Sequence, residues 1–534
     1  MLKKVLKRSI CVLLALVLCL GVAGCKKSAD DEQKVVSNLG DSYPLDTDAT
    51  ITYWMQLNSN VLATESSMTN LPFAEQLQKE TGVKIEYIHP SAGQIGEQFN
   101  IMLASGSLPD IIEYDWYNFP GGPQKAIDDE YIIPLNDIID KYCPNLKSYL
   151  EEHPDVDKLV KTDSGVYYVF PMIKDDDLLL NYMGPTVRKD WLDKLNLDIP
   201  ETMEDWENML RLFKEKMGAD APLSYLGYNQ ANTGAFSGAY GVKKGFYVDG
   251  GKVKYGPAED GYKEFLETFA RWYKEGLLDP NISAVDNKIL EANMLNGKTG
   301  ATLATAGGNI GKWLPIMAER DPEYALAAAP YPVLNKGERP KFGQLDWYYI
   351  TAGCAAITTS CKNVELAARL LDYGYSEAGR KLYNYGIEGT SYNMVDGYPT
   401  YTDEIIKNPQ GLSISNAIAR YARGCYTGPF IQEKPYIEQY YTTDVQKNAI
   451  DIWKETDNAK YSMPLITCLP EESSEMANIM NEVNTYVDEM QIRFITGLEP
   501  IENFDKYVSR IKSMGIDDAL KIQQAAYDRF SSRK

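Results

Sequence analysis

Histidine is nearly absent: His89 and His153 are the only two in a chain of 534 residues. Histidine is the commonest general base and metal ligand near neutral pH. Its scarcity argues against His-dependent catalysis and against most zinc chemistry. His89 closes a strand-like run from Ile85 to Ile88, and His153 precedes a proline, which is a poor catalytic inventory. The chain also has no H-E-x-x-H, no C-x-x-C and no G-x-S-x-G. Cysteine is thin once position is considered. Of eight, Cys11, Cys19 and Cys25 lie at the N-terminus. The other five, Cys143, Cys354, Cys361, Cys425 and Cys468, are odd in number and widely scattered. A disulfide scaffold is denser, so free buried thiols are expected, with one bridge as the alternative. Positive charge is the third shortage. Lys and Arg number 54 against 75 Asp and Glu, for a net charge of −21. Such a surface repels nucleic acid and anionic lipid heads.

What the chain does have begins at its N-terminus. Lys3, Lys4, Lys7 and Arg8 precede an apolar run, Ile10 to Leu20. The run has 11 residues, too few for a bilayer span of roughly 20. Leu20-Gly21-Val22-Ala23-Gly24-Cys25 then leads into Lys26-Lys27. Charged region, short apolar region and small-residue end are the layout of a secretory signal. The ending resembles the lipobox of bacterial lipoproteins, in which the cysteine is lipidated and becomes the new N-terminus. Cys25 is therefore the expected lipidation site, 1–24 the signal peptide, and the outer face of the cell membrane the expected location. Removal of 1–24, with its four positive charges, takes the net charge from −21 to −25. Residues 25–48 are polar and acidic, without apolar periodicity, and read as a tether.

A chain of this length holds more than one core, since single cores stop growing near ~250–300 residues. Ile51 to Trp54 reads as a strand, Leu71 to Glu80 as a helix, Val83 to Ile88 as a strand, Ile95 to Ala104 as a helix, and Asp110 to Tyr114 as a strand. Strands alternating with helices argue for an α/β lobe. Thr202-Met203-Glu204-Asp205 has the form of a capping box opening a helix to Lys216. Pro257 to Glu275 is amphipathic, with Tyr262, Phe265, Leu266, Phe269 and Trp272 on its core side. From Ser473 the chain reads as mainly helical.

Several motifs are incomplete. Gly297-Lys298-Thr299 lacks the first glycine of a P-loop, because that position is Ala292. Ala306-Gly307-Gly308-Asn309-Ile310-Gly311 is one glycine short of a dinucleotide fingerprint and reads instead as a strand-to-helix turn facing a cleft. Asp175-Asp176-Asp177 lacks the alternate spacing of a calcium loop. No cofactor and no metal are expected. Among 75 acidic residues carboxylate pairs arise by chance, so none is singled out for glycoside hydrolysis.

Seven stretches, in order and over nearly the whole chain, resemble the extracellular solute-binding proteins of bacterial ABC importers, the large Gram-positive lipoprotein type that takes up oligosaccharides. They are Leu103 to Ile112, Arg188 to Leu195, Tyr273 to Asn281, Asn296 to Gly300, Leu371 to Gly379, Tyr385 to Gly389, and the tail from Thr496 to Tyr527. The resemblance implies a type II periplasmic-binding-protein-like α/β fold of two lobes. Ligand would lie in a cleft between the lobes, and the C-terminal region would be helical. It implies an N-terminal lobe of 49–168 plus 345–430 and a C-terminal lobe of 169–344 plus 431–534. Crossovers fall near Tyr168 to Pro171, near Gln344 to Ile350 and between Gly424 and Tyr440. Some relatives, alginate binders among them, carry a calcium loop where this chain reads Lys216 to Leu223. The alternating oxygen ligands are missing there, so calcium is not carried over.

The implied function is non-enzymatic: capture of an oligosaccharide by lobe closure and delivery to an ABC permease by a lipid-anchored monomer. A secreted polysaccharide-degrading enzyme, or the same fold holding a peptide or other solute, is the alternative. Sugars present apolar faces to aromatic rings and hydroxyls to polar side chains. Family strand ends then nominate Trp54, Gln56 and Asn58; Asp115, Trp116 and Tyr117; Asn309 and Trp313; Asp346, Trp347 and Tyr348; and Tyr392 and Asn393. Arg188 would suit an acidic sugar, and Tyr228 to Phe236 is a further candidate loop. Trp191, Trp206 and Trp272 lie in amphipathic helices and are expected in the core.

Overall fold

The structure, a computed structural model, describes residues 39–40, 42–424 and 426–533. Cys25, the signal segment, the tether as far as residue 38, and Cys425 lie outside the described residues. The strands of the two principal sheets are β1 (Thr50–Trp54), β2 (Lys84–Ile88), β3 (Ile111–Tyr114), β4 (Phe170–Lys174), β5 (Met183–Arg188), β6 (Ala301–Thr305), β7 (Leu326–Ala328), β8 (Tyr349–Ile357) and β9 (Ile431–Gln432).

The first sheet has the order β2-β1-β3-β8-β4-β9. β1 pairs parallel with β2 and β3, through the helices Pro72–Thr81 and Ile95–Ser105. Proline at the first turn suits the start of the first helix. Its end is set by Gly82, whose φ of +75° is left-handed and whose absent Cβ lets the Leu45 carbonyl approach. β8 returns antiparallel between β3 and β4. The second sheet, β6-β5-β7, is antiparallel throughout.

Each sheet anchors its own core. Ile51, Ile111, Ile112, Phe170, Ile173 and Ile357 belong to the first. Val187, Trp206, Phe213, Phe269, Trp272 and Leu303 belong to the second. The aromatic stripe of the helix Asp260–Lys274 is packed there as its periodicity implies, and Trp191 is buried in the same core, against Phe213. Burying each such side chain contributes about 1.5–3 kcal/mol. The helix Met203–Met217 opens on a reciprocal box: Asp205 N donates to Thr202 Oγ1 at 3.1 Å, and Thr202 N to Asp205 Oδ2 at 2.9 Å.

The chain passes from one core to the other between Ile173 and Leu179, Tyr331 and Tyr349, Tyr383 and Tyr385, Ala422 and Tyr426, and Ile431 and Tyr436. Residues Tyr385 to Tyr421, grouped with the first lobe in the sequence reading, place most of their buried side chains in the second core. The C-terminal region is helical, with Pro470–Ile495, Phe504–Ser513 and Ile516–Ser532. Its last helix starts in the second core at Ile516 and ends with Phe530 against the first. Among the described residues no helix is long and apolar enough to cross a membrane. Cys143, Cys354 and Cys361 are buried and free, and Cys468 is half-buried and free.

Candidate functional site: a cleft between two cores

A cavity of about 1070 Å³ lies between the cores and takes lining from both. Met172, Ile350 and Tyr426 come from the first, and Leu226, Tyr436 and Tyr441 from the second. Its floor is the end of the β4–β9 pair, where Gln432 stands opposite Lys174. Lys174 is buried. Its Nζ donates to the Leu179 carbonyl at 2.8 Å and to Asp346 Oδ2 at 2.6 Å. Asp346 Oδ1 accepts from Gln344 Nε2 at 3.0 Å. Burial and the Asp346 carboxylate push the nearby Tyr182 phenol well above its ordinary range, so it stays a neutral donor. Glu291, the other lining carboxylate, pairs with Lys312 at 2.6 Å.

Strand alternation puts the next residues on the opposite side. Asp175 follows Lys174, and Glu433 follows Gln432. Arg380 holds both: Nη2 donates to Asp175 Oδ2 at 3.0 Å and Nε to Glu433 Oε1 at 2.7 Å. Tyr385 OH also donates to Glu433, at 2.8 Å. Burial raises the Asp175 carboxyl to about 6, against the pull of Arg380 and with a smaller push from Glu433. This clasp ties together two segments that run from one core to the other.

The predicted residues divide. Asn309 and Asp346 line the cavity, as do Tyr228 and Asn229 from the candidate loop. Asn309 Oδ1 accepts from Thr305 N at 2.8 Å and so folds the turn that follows β6. The other nominees are not in this lining. Trp116 is fully buried against Phe99 and Phe119, and its Nε1 donates to the Ile112 carbonyl at 3.0 Å. Trp313 is fully buried in the second core, on the side of its helix away from the lining residue Lys312. Trp54 and Tyr392 are core residues as well. Tyr117 OH is taken by the Ile466 carbonyl at 2.8 Å, and Asp115 caps the turn at Asn118. Asn58 caps the short helix Ser59–Leu62 and leaves Ser59 and Asn60 to line the cavity; Gln56 is exposed elsewhere. Arg188 is locked to Asp190 by two bonds of 2.8 and 2.7 Å, between the rings of Trp191 and Tyr324. Trp347 packs on the first core, Tyr348 OH bonds Asp177, and Asn393 lies exposed on a hairpin.

Sequence reasoning missed Lys174, Tyr182, Gln432, Tyr436, Tyr440 and Tyr441. The last four fall inside the third expected crossover or one residue beyond it, so a signal existed. It gave the place and not the residues. Among the described residues no group of three or more His, Cys, Asp or Glu is placed to hold a metal ion.

Comparison with known proteins places this geometry. The family model for bacterial extracellular solute-binding proteins matches residues 64–381. The fructooligosaccharide ABC transporter substrate-binding protein FusA of Streptococcus pneumoniae is 25% identical over 575 aligned positions, covering 99% of both chains. Lipoprotein LipO of Bacillus subtilis is 22% identical, over 88% of this chain and 91% of its own. The structure of alginate-binding protein AlgQ2 without calcium superposes with a TM-score of 0.77 at 25% identity, covering 93% of this chain and all of that one. FusA in complex with kestose superposes at 0.74 with 23% identity, over 91% of this chain and 100% of that one. The fold is that of two-lobed binding proteins. The chain belongs to the family of bacterial extracellular solute-binding proteins.

Proposed function

We propose that this protein captures an oligosaccharide between its lobes, without converting it, and delivers it to an ABC permease from a lipid anchor at Cys25. The observation that carries the reading is the cavity itself. It is walled from both cores by tyrosines and short amides and hydroxyls, with Lys174, Lys288, Lys312 and Arg320 among them, and both of its lining carboxylates are already ion-paired. Aromatic faces and neutral polar groups suit a sugar, and FusA, matched over almost its full length, is described as a fructooligosaccharide binder. LipO supports the anchor by its description as a lipoprotein. In this proposal the lobes follow the two cores. Asn309 and Asp346 remain ligand contacts, joined by Lys174, Asn229, Gln432 and the lining tyrosines. Ligand touching both walls favours the closed form, and only through its differential affinity for the two forms. The protein acts as a monomer on the outer face of the membrane.

The test is thermal denaturation over a glycan and peptide panel, with chromatography of the incubated glycans. A saccharide at 100 times its Kd raises stability by about 2.7 kcal/mol, and it is recovered intact. Stabilisation by peptides alone, or release of cleavage products, overturns the reading.

A further inference from the structure

His89, one residue beyond β2, takes no part in the cavity lining. Its ring instead joins the two ends of loop 55–68, which follows β1. Nδ1 lies 2.9 Å from the Met55 carbonyl, and Nε2 lies 3.2 Å from Met68 N and 3.4 Å from Ser67 Oγ. A carbonyl only accepts and a backbone N–H only donates. Nδ1 therefore carries the proton, and the Nε2 lone pair receives the Met68 N–H. Only a neutral imidazole makes both bonds, since the imidazolium would set a second N–H against that of Met68. From the loop the ring meets backbone groups and the Ser67 hydroxyl. From β2, Tyr87 stacks on it, with centroids 6.1 Å apart and planes at 10°, and burial keeps that phenol well above its ordinary range. Among the described residues no charged side chain perturbs His89; burial pulls it below its ordinary value, against the bond to Met55. The loop reaches the cavity in two ways. Ser59, Asn60 and Ala63 line it, and Met68 Sδ accepts from the hydroxyl of the lining residue Tyr426 at 3.9 Å.

Resting on the oligosaccharide reading above, we propose that His89 is a positioning residue: as a neutral imidazole it fixes loop 55–68 against the cavity, so saccharide affinity falls as the medium turns acid. His89 does not touch the ligand. It acts through Asn60 and its neighbours at one end of the loop and through Met68 and Tyr426 at the other. A ligand that prefers the tied loop prefers the unprotonated ring, and the same coupling read in reverse makes a proton on the ring weaken the ligand.

Two measurements on the full chain test this. Long-range 1H–15N spectra of the imidazoles need no ligand, and His153→Gln leaves His89 as the one histidine to observe. The expected result near pH 7.5 is a neutral ring protonated at Nδ1. A ring protonated at Nε2, or charged at that pH, overturns the inference. Isothermal calorimetry with kestose, nystose, raffinose and maltotriose then compares pH 7.5 with pH 5.0. For whichever saccharide binds, the wild type loses about fivefold more affinity over that interval than His89→Gln, the low end of the cost of an unmet hydrogen bond. The glutamine amide keeps an acceptor for Met68 N–H and cannot be protonated in this range. Asp175 and Asp372 are present in both proteins, so their titration cancels in the comparison. His89→Ala weakens binding at both pH values; should it not fold, His89→Gln decides alone. Equal pH dependence in the wild type and His89→Gln overturns the role of His89 and leaves the oligosaccharide reading intact. A wild type that binds no saccharide and does bind a peptide overturns that reading, and the spectra with the same pH comparison on the peptide still decide His89.

Discussion

Glu113 and Arg423 meet inside the first core with almost no exposure. Arg423 Nη2 donates to Glu113 Oε1 at 2.6 Å and Nη1 to Oε2 at 3.1 Å, while Tyr53 OH donates to Oε2 at 2.8 Å. Two buried charges survive because each satisfies the other. Removing one leaves the partner uncompensated, at a cost of about 3–5 kcal/mol. Glu113→Ala is therefore expected to lose that much stability in urea denaturation, and Glu113→Gln less. A loss below about 1 kcal/mol for the alanine variant would put the pair among ordinary surface bridges. Arg188 and Asp190 are a second such pair. Their mutual neutralisation takes Arg188 out of consideration as an anchor for an acidic ligand, a role its sequence neighbours alone left open.

At the scale of elements, local chemistry was readable wherever it was self-contained. Thr202-x-x-Asp205 specifies its own helix start, because both bonds of the box close within four residues. Thr202→Ala should cost about 1 kcal/mol, read as a shift in denaturation midpoint with unchanged slope. A change within error would show that the helix end is held by packing. The strands β1 to β3 and their helices were equally readable, because apolar runs and glycine stops mark them. β9 was not: two residues carry no period, and their pairing with β4 is decided by segments far apart in sequence. The site followed the same division. The turn after β6 was placed at the cleft by the strand-turn-helix order, and Asn309 is there. Trp313, four residues on, points into the second core. Strand ends identify a rim but not which side of the next helix turn looks inward, since successive helical residues diverge by about 100°. Large aromatics resolve that choice in favour of burial. The tyrosines that line the cavity, three of them buried and three more exposed, carry no local mark.

At the scale of the molecule, the two cores are joined by a few segments and by a strap. The helix Ile516–Ser532 leaves the second core and ends on the first, where Arg529 and Arg533 both engage buried Asp163 and Arg529 also reaches Glu472 at 2.7 Å. Behind the cavity, Arg380 ties Asp175 to Glu433. Lys434 N and the neighbouring Asp176 also face Asp175. An acid whose folded pKa is raised, here from 3.8 to about 6, binds its proton more tightly when folded. Its contribution to stability is complete below the unfolded value and disappears as pH rises through about 6. Asp175→Asn should thus flatten the fall in stability between pH 4 and pH 6.5, as measured by denaturation at several pH values. An unchanged slope would remove Asp175 from the titrating set. Asp372, also raised to about 6 by burial, contributes a slope of the same sign.

The pleat at the ends of β4 and β9 has one more consequence. Lys174 and Gln432 look into the cleft, while Asp175 and Glu433 are held by Arg380 outside its lining. On the proposed function, recognition and the tie between the crossing segments thus lie on opposite sides of the same two strand ends. A change on the inner side then alters what is held, and a change on the outer side alters how firmly the two crossing segments are joined. A lineage of such proteins would turn to a new ligand on one side while leaving the clasp on the other untouched.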